Sequence, residues 1–465
     1  MHWKTGKTGV VWSIIASLLL TACAEEGAAP SDDGTASIDS YLTADRRTPP
    51  EALAAVAAPD LLPVHQTFAF DGFRVRAGDN TLTAPFDVQQ LLASLAPGAA
   101  GDTLQAIADA GGLPLLGETT GAETLAGLSL WEQRIDGLAA VERRRLLWGQ
   151  WGYRFNRDYL QAMAELFGPE MGGLDFRGDA GSATAAVEAG LDDRLALTEI
   201  GDRTRLVAAQ TTRLQAAWSG DLPREVVNGR FGERDNQRHV PMLRITGTLP
   251  VTEGEDFRAV ELPFAAEGLS LVVITPTSGA FDSVRSRLDD DFWHALRQGL
   301  VPTPTTFYLP LFSLQREGDI SGLGIALNDM GLADFTPVNG AGYLYLETPR
   351  QRITLDVDAD GLSAATVTAA VHNATADEPP YLFDPQPAHS SMGSATDSAY
   401  TYPKSCFYPP DQRPFLFAVY AADTGTLFHL GQVKVLDGDS VEADWLVPFS
   451  TACGDSPLVE VYRYK

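Results

Sequence analysis

The chain has 465 residues, 45% of them apolar and 20% charged, enough for one large core or two smaller ones. Its formal net charge of -27 excludes the basic footprint that nucleic-acid binding needs. The 7 histidines are scattered without metal-ligand spacing, and no phosphate loop, dinucleotide fingerprint or G-x-S-x-G elbow occurs. No catalytic residue, metal or cofactor is therefore expected.

In chain order, Lys4 and Lys7 precede the apolar run Val10 to Leu20, which is too short to span a bilayer. Leu20-Thr21-Ala22-Cys23 reads as a bacterial lipobox, with cleavage after residue 22 and lipid on Cys23. Residues 23–60 are rich in Ala, Asp, Pro and Ser and read as a flexible tether. The expected location is a bacterial cell envelope, with the protein held at the membrane through this lipid. With Cys23 lipidated, Cys406 and Cys453 remain as a pair in an oxidising compartment, and a disulfide is expected.

From Phe68 an amphipathic segment runs to Gly78, followed by a short extended stretch over Asn80 to Pro85. Asp87 is placed to cap a helix carrying Val88, Leu91, Leu92 and Leu95, which Pro97-Gly98 breaks. Asp102 or Thr103 caps a second helix, with Leu104, Ile107 and Ala108. Leu146 to Phe155 is strand-like, Ala183 to Leu195 helical, and Leu206 to Leu214 a strand. Strands then dominate: Ala259 to Phe264, Leu269 to Thr275, Thr306 to Leu314, Arg352 to Val357, and a closing hairpin over Phe415 to Tyr420 and Thr426 to Val433. A helix over Ile320 to Leu332 interrupts them. Helices first and strands later, with few βαβ units, predict an α+β fold. Residues 377–407 hold no convincing element, and 437–465 form a C-terminal extension.

The stretch 354–376 carries the most information. Asp356-x-Asp358-x-Asp360-Gly361 matches the start of a calcium loop, but Val367 stands where the bidentate glutamate belongs, and the flanks alternate like a strand. After Gly361 come Ser363, Ala364, Ala365, Thr366, Val367, Thr368, Ala369 and Ala370, all small or β-branched.

Several motifs, in order, resemble the serpin family over residues 61–436. They include Asn80-Thr-Leu-Thr-Ala-Pro85, Gly98-Ala-Ala-Gly-Asp-Thr103, and Leu206-Val207 with Trp218. Further on come Glu261-Leu-Pro-Phe264, Tyr308-Leu-Pro-Leu-Phe312, Arg413-Pro-Phe-Leu-Phe417, and Leu427-Phe428 with Gly431-Gln-Val433. The resemblance implies helices packed around three β-sheets, a large central sheet, and an exposed reactive loop over about 358–407. It implies a monomeric inhibitor of serine proteases that acts as a suicide substrate. The protease cleaves the loop and becomes acyl-linked, and the freed arm inserts into the central sheet. The other reading is a non-inhibitory member that binds a partner through the long loop.

By the same resemblance, Gly361, Leu362, Ser363, Ala364, Ala365 and Thr366 form the hinge. Leu362 stands where a Thr or Ser is usual, and Ala364, Thr366 and Thr368 share its inward parity. Trp218 is the breach tryptophan. Gln210 and Gln351 replace the shutter asparagine and histidine, and are expected to bond each other. Family spacing places the reactive bond at Thr375–Ala376, which suits an elastase-like target. Tyr381, Leu382, Phe383 and Met392 offer alternative baits for a chymotrypsin-like enzyme.

Overall fold

The helices that open the chain are bounded by proline starts, a glycine stop and, in two of them, a side-chain cap. In the computed structural model, α1 is Pro50–Ala54 and α2 is Leu62–Arg74. Helix α3, Pro85–Leu95, begins on a proline whose missing N–H would have no helical partner in any case. Helix α4, Gly101–Gly111, stops at Gly112, which takes the left-handed conformation (φ 62°) that glycine adopts freely. Then come α5, Glu118–Asp136; α6, Arg157–Leu166, capped by Asn156; and α7, Ala180–Gly190, capped by Asp179. Three short helices follow: α8, Phe281–Ser286; α9, Asp290–Gln298; and α10, Thr336–Asn339. The structure describes residues 35–36, 38, 47–55, 60–192, 195–197, 199–220, 222–232, 237–320, 334–379, 382–383 and 411–440.

The strands in order are β1, Thr35–Ala36; β2, Thr81–Thr83; β3, Val141–Gln150; β4, Phe155–Asn156; β5, Glu170–Leu174; and β6, Thr204–Ala217. Next are β7, Arg224–Phe231; β8, Arg238–Glu253; β9, Phe257–Pro263; β10, Leu269–Pro276; β11, Val301–Pro310; and β12, Phe312–Asp319. Last are β13, Leu344–Leu346; β14, Arg350–Val357; β15, Gly361–Ala374; β16, Asp411–Gln412; β17, Phe415–Ala421; β18, Leu427–Val433; and β19, Asp439–Ser440.

They form a seven-stranded sheet of order β12-β14-β15-β6-β3-β5, with β13 on β15. A ten-stranded sheet runs β16-β7-β8-β9-β10-β17-β18-β2, with β11 and β19 on β8, and β1 pairs β4 by itself. The seven-stranded sheet is covered on both faces. One face joins the main core, to which α3 contributes Phe86, Leu91 and Leu92. The other meets Ala183 and Val187 of α7 together with Phe176.

Several expectations change. Asp87 and Asp102 lie inside the first turns of α3 and α4, while Ala84 and Ala100 hold the cap positions without a side-chain bond. Asp87 is drawn inward by Thr212, which outweighs its value as a cap. Part of the expected tether is docked: β1 pairs β4, Ile38 and Leu53 are buried, and Arg47 reaches α5. Two apolar side chains and one arginine in a polar stretch supply that anchorage. Residues 361–374 of the expected exposed loop are a buried strand, because small residues suit a position covered on both faces. Cys23, Tyr381, Met392, Cys406, Cys453 and residues 321–332 of the expected helix lie outside the described residues.

Arg47 belongs to a charge cluster. Glu132 accepts from Arg47 at 2.6 Å, Arg143 at 3.0 Å and Arg145 at 2.6 Å, and its side chain is 1% exposed. Asp136 binds the same three arginines at 2.6 to 3.2 Å. Glu132→Gln leaves buried guanidinium charge uncompensated, so a loss of about 3–5 kcal/mol is expected in urea unfolding. A loss under about 1 kcal/mol, the level of an exposed pair, would contradict the buried role.

Candidate functional site: an inserted strand and its turn

Strand β15 leaves β14 through a tight turn. Asp358 Oδ1 accepts from the backbone N–H of Asp360 at 2.8 Å and of Gly361 at 2.9 Å. Asp358 N donates to Gly361 O at 3.0 Å, closing the turn. Trp218 holds the turn from the neighbouring strand. Its indole Nε1 donates to Asp358 O at 3.0 Å, its backbone N donates to Asp360 O at 3.0 Å, and its ring stacks on Phe264 at 5.0 Å. The acidic run is thus the end of β14 and a hairpin turn, in which Asp358 is the turn's acceptor and Asp356 accepts from Ser313 Oγ. Among the described residues no group of three or more His, Cys, Asp or Glu can hold a metal ion.

From the turn, β15 runs antiparallel between β14 and β6. Leu362 lies opposite Val357 on one side and Ala216 on the other; Thr368 lies opposite Gln351 and Gln210. Leu362, Ala364, Ala370 and Ala374 join the main core, while Val367, Ala369 and Val371 face α7. Ser363 and Ala365 are half-buried. Leu362 is only 2% exposed, so this bulky residue of the expected hinge is seated rather than excluded. Gly361 has no substitute here: a Cβ would come within 2.2 Å of Ala216 O.

The two glutamines do not meet, because β15 separates them. Gln351 Nε2 donates to Thr368 Oγ1 at 3.2 Å and to Ala84 O at 3.4 Å. Gln210 Nε2 donates instead to Asp87 O. Thr368 therefore occupies the place where a direct glutamine pair was expected. Asp87 Oδ1 accepts from Thr212 Oγ1, and its Oδ2 has no partner. Burial pushes the Asp87 carboxyl up to about 6, with Arg143 opposing. Beside β15, Thr366 Oγ1 lies 3.3 Å from His429 Nε2. Burial lowers His429 and His372 to about 4.

At the far end, Asn373 is fixed by three partners: Thr204 Oγ1 donates to its Oδ1 at 2.8 Å, and its Nδ2 donates to Glu347 Oε1 at 3.0 Å and Glu199 O at 3.2 Å. Thr375 N donates to Tyr343 O at 2.8 Å, and Ala376 is exposed in the turn that follows. The chain then docks again: Glu378 forms a bidentate pair with Arg205, Leu382 enters the main core, and Phe383 bridges Tyr153. Sequence reasoning gave Arg205 and Tyr153 no role. Their only signal was indirect, an aromatic and an acid shortly after the run of small residues.

A family model described as Serpin (serine protease inhibitor) matches residues 65–435. The chain belongs to the serpin family. Among relatives, this serpin is 25% identical over 385 residues to an uncharacterized serpin-like protein of Thermococcus kodakarensis, covering 79% of this chain and 84% of that protein. It is 22% identical over 331 residues to the leukocyte elastase inhibitor of Xenopus tropicalis, covering 65% and 87%. In fold it is similar to a loop-inserted structure of a cleaved ovalbumin mutant (TM-score 0.68, 15% identity, 81% of this chain and 100% of that one). It is also similar to the thermophilic serpin tengpin in the latent state (TM-score 0.60, 17% identity, 81% and 98%).

Two predictions follow from the strand's surroundings. Gly361→Val sets a side chain against the Ala216 carbonyl, so the first pair of β15 cannot close. Loop cleavage of this variant is expected to give no rise in melting temperature, whereas the parent gains one; an equal rise in both would refute the steric argument. Asp87, raised from 3.8 to about 6, contributes stability that is full below pH 3.8 and lost as pH climbs through about 6. Asp87→Asn should therefore melt higher than the parent above pH 6, with the gap closing toward pH 4. The histidines act oppositely, their contribution being present above 6.5 and lost as pH falls through about 4.

Proposed function

We propose that this serpin is a suicide-substrate inhibitor of a serine protease, working by insertion of Gly361–Ala374 into the seven-stranded sheet. The observation that carries this reading is the fit of that segment. The fourteen residues form one strand, with Leu362–Ala369 between β14 and β6 and His372–Asn373 between β13 and β6; none carries a fixed charge, and Leu362 is seated without displacing the register. Family membership implies serine proteases as targets and a protease-inhibitor fold.

In the proposed reaction the protease's serine hydroxyl attacks the carbonyl carbon of the bait residue. The amide C–N bond breaks, the nitrogen leaves protonated as a new amino terminus, and an acyl ester joins the two proteins. Insertion of the freed arm then competes with hydrolysis of that ester. The sheet favours insertion because the backbone groups of β15 find partners in β6 on one side and in β14 or β13 on the other, and its apolar side chains leave water. The target class depends on the bait. Family spacing selects Thr375–Ala376 and an elastase-like enzyme, whereas Phe383 selects a chymotrypsin-like one.

Incubation with a panel of elastase-like and chymotrypsin-like proteases tests the reading. A complex that survives boiling in detergent, at the summed mass of the protease and the cleaved serpin, is the expected result. Clean cleavage by every protease without complex, and without a rise in melting temperature, would instead favour a binding role for the long loop.

A further inference from the structure

The segment after β15 is built into the pole of the sheet. Arg205, at the start of β6, is itself fixed by bonds from Nη1 to Asp202 O and Thr204 O, both 2.9 Å. Its Nε donates to Glu378 Oε1 at 3.1 Å and its Nη2 to Oε2 at 2.8 Å, with side-chain exposures of 6% for Arg205 and 7% for Glu378. Buried bidentate pairing of this kind requires both partners in one geometry. Leu382 is 3% exposed within the main core, and its carbonyl accepts from Arg154 N at 2.8 Å. The Phe383 ring lies between two guanidiniums, 4.5 Å from Arg177 and 5.1 Å from Arg205, and packs edge-on against Tyr153 at 5.3 Å. Tyr153 is held in turn by Asn339, whose Nδ2 donates to its hydroxyl at 2.7 Å. A cation over an aromatic face and a second cation shared with a carboxylate form a socket that fits one peptide: an acid followed, five residues on, by an aromatic.

This socket bears on where the chain is cut, and the argument rests on the inhibitory reading above. Only Thr375, Ala376 and Asp377 separate the last residue of β15 from Glu378. Strand and latch are therefore one covalent unit that arrives at the pole together. Hydrolysis at Thr375–Ala376 would detach Glu378, Leu382 and Phe383 from the arm they anchor. A cut at or after Phe383 keeps them on it. The eight residues beyond Thr375 then do not hang as slack between the sheet and a captured protease. Glu378, Leu382 and Phe383 are taken up by the socket instead.

We propose that the insertable arm ends at Phe383 rather than Thr375: Glu378, Leu382 and Phe383 form a latch for the Arg205–Tyr153–Arg177 socket, and the bond attacked in productive inhibition lies at or beyond the carbonyl of Phe383. The bait is then an aromatic or a later residue, and a chymotrypsin-like primary pocket is favoured over a small one.

The test uses the full chain, chymotrypsin and pancreatic elastase. Intact mass and N-terminal sequencing identify the bond cut in any detergent-stable complex and in free cleaved protein, and melting temperatures are compared for each cleaved form. A complex whose released fragment begins at Asp384 or later is expected. Protein cut there should melt several degrees higher than protein cut at Thr375–Ala376. Glu378→Gln and Arg177→Ala should each shrink that difference while leaving the melting temperature of the Thr375-cut form unchanged. A stable complex whose fragment begins at Ala376 would overturn the latch but leave the inhibitory reading standing. Equal melting of the two cleaved forms, unaffected by either substitution, would overturn it as well. No complex and no rise for either cut would remove the inhibitory reading and the latch with it.

Discussion

The double ladder of β15 is the constraint on which the rest of the molecule depends. Its backbone bonds β14 on one side and β6 on the other, and its side chains are covered on both faces. A strand so enclosed has no edge open to water, so every polar group it brings must find a partner inside. That requirement explains the composition of Gly361–Ala374. Alanines ask for nothing, valines supply apolar contact, and Thr366 and Thr368 each meet a polar side chain, His429 and Gln351 respectively. Asn373 and His372 come only at the far end, where other elements close around them.

The charged groups follow the same logic from the outside. This acidic chain uses several arginines as internal fasteners rather than as surface charge. Arg143 and Arg145 gather Glu132 and Asp136 under the N-terminal segment, and Arg205 gathers Glu378 at the pole. Each guanidinium presents a planar fork that matches carboxylates in two directions, which a lysine cannot do. Elements far apart in sequence are thereby tied at their ends, while their middles are held by apolar packing.

Much of this was legible in the chain. Leu206 to Leu214, Arg352 to Val357 and the Phe415–Val433 hairpin declare themselves by apolar alternation and turn residues, and the structure extends each by only a few positions. The parity of Leu362, Ala364, Thr366 and Thr368 could be counted from Gly361. Helices α5 and α6 could not be read in this way, because glycine and polar residues interrupt the apolar stripe of α5 and α6 is short. Their helicity is set by the sheet they cover. The glutamines illustrate another limit. Sequence identifies Gln210 and Gln351 as bonding groups facing a common region, but which partner each takes depends on whether a third strand stands between them. The socket of Arg205, Tyr153 and Arg177 was out of reach, since it assembles side chains from three separate segments that no local pattern links.

The turn at Asp358–Gly361 has a consequence for timing. If β15 joins the sheet after β14, as the proposed inhibition requires, it is laid down from its Gly361 end, one pair after another, because β14 passes directly into it. The order of events is then written into chain connectivity. Gly361 and Leu362 are met first, so the ease of seating them sets how fast the whole strand advances. Asn373 and the residues beyond it are met last, so their bonds set how firmly it stays. Substitutions at the two ends of one strand thus fall on different observables, the rate of closure at one and the lifetime of the closed form at the other.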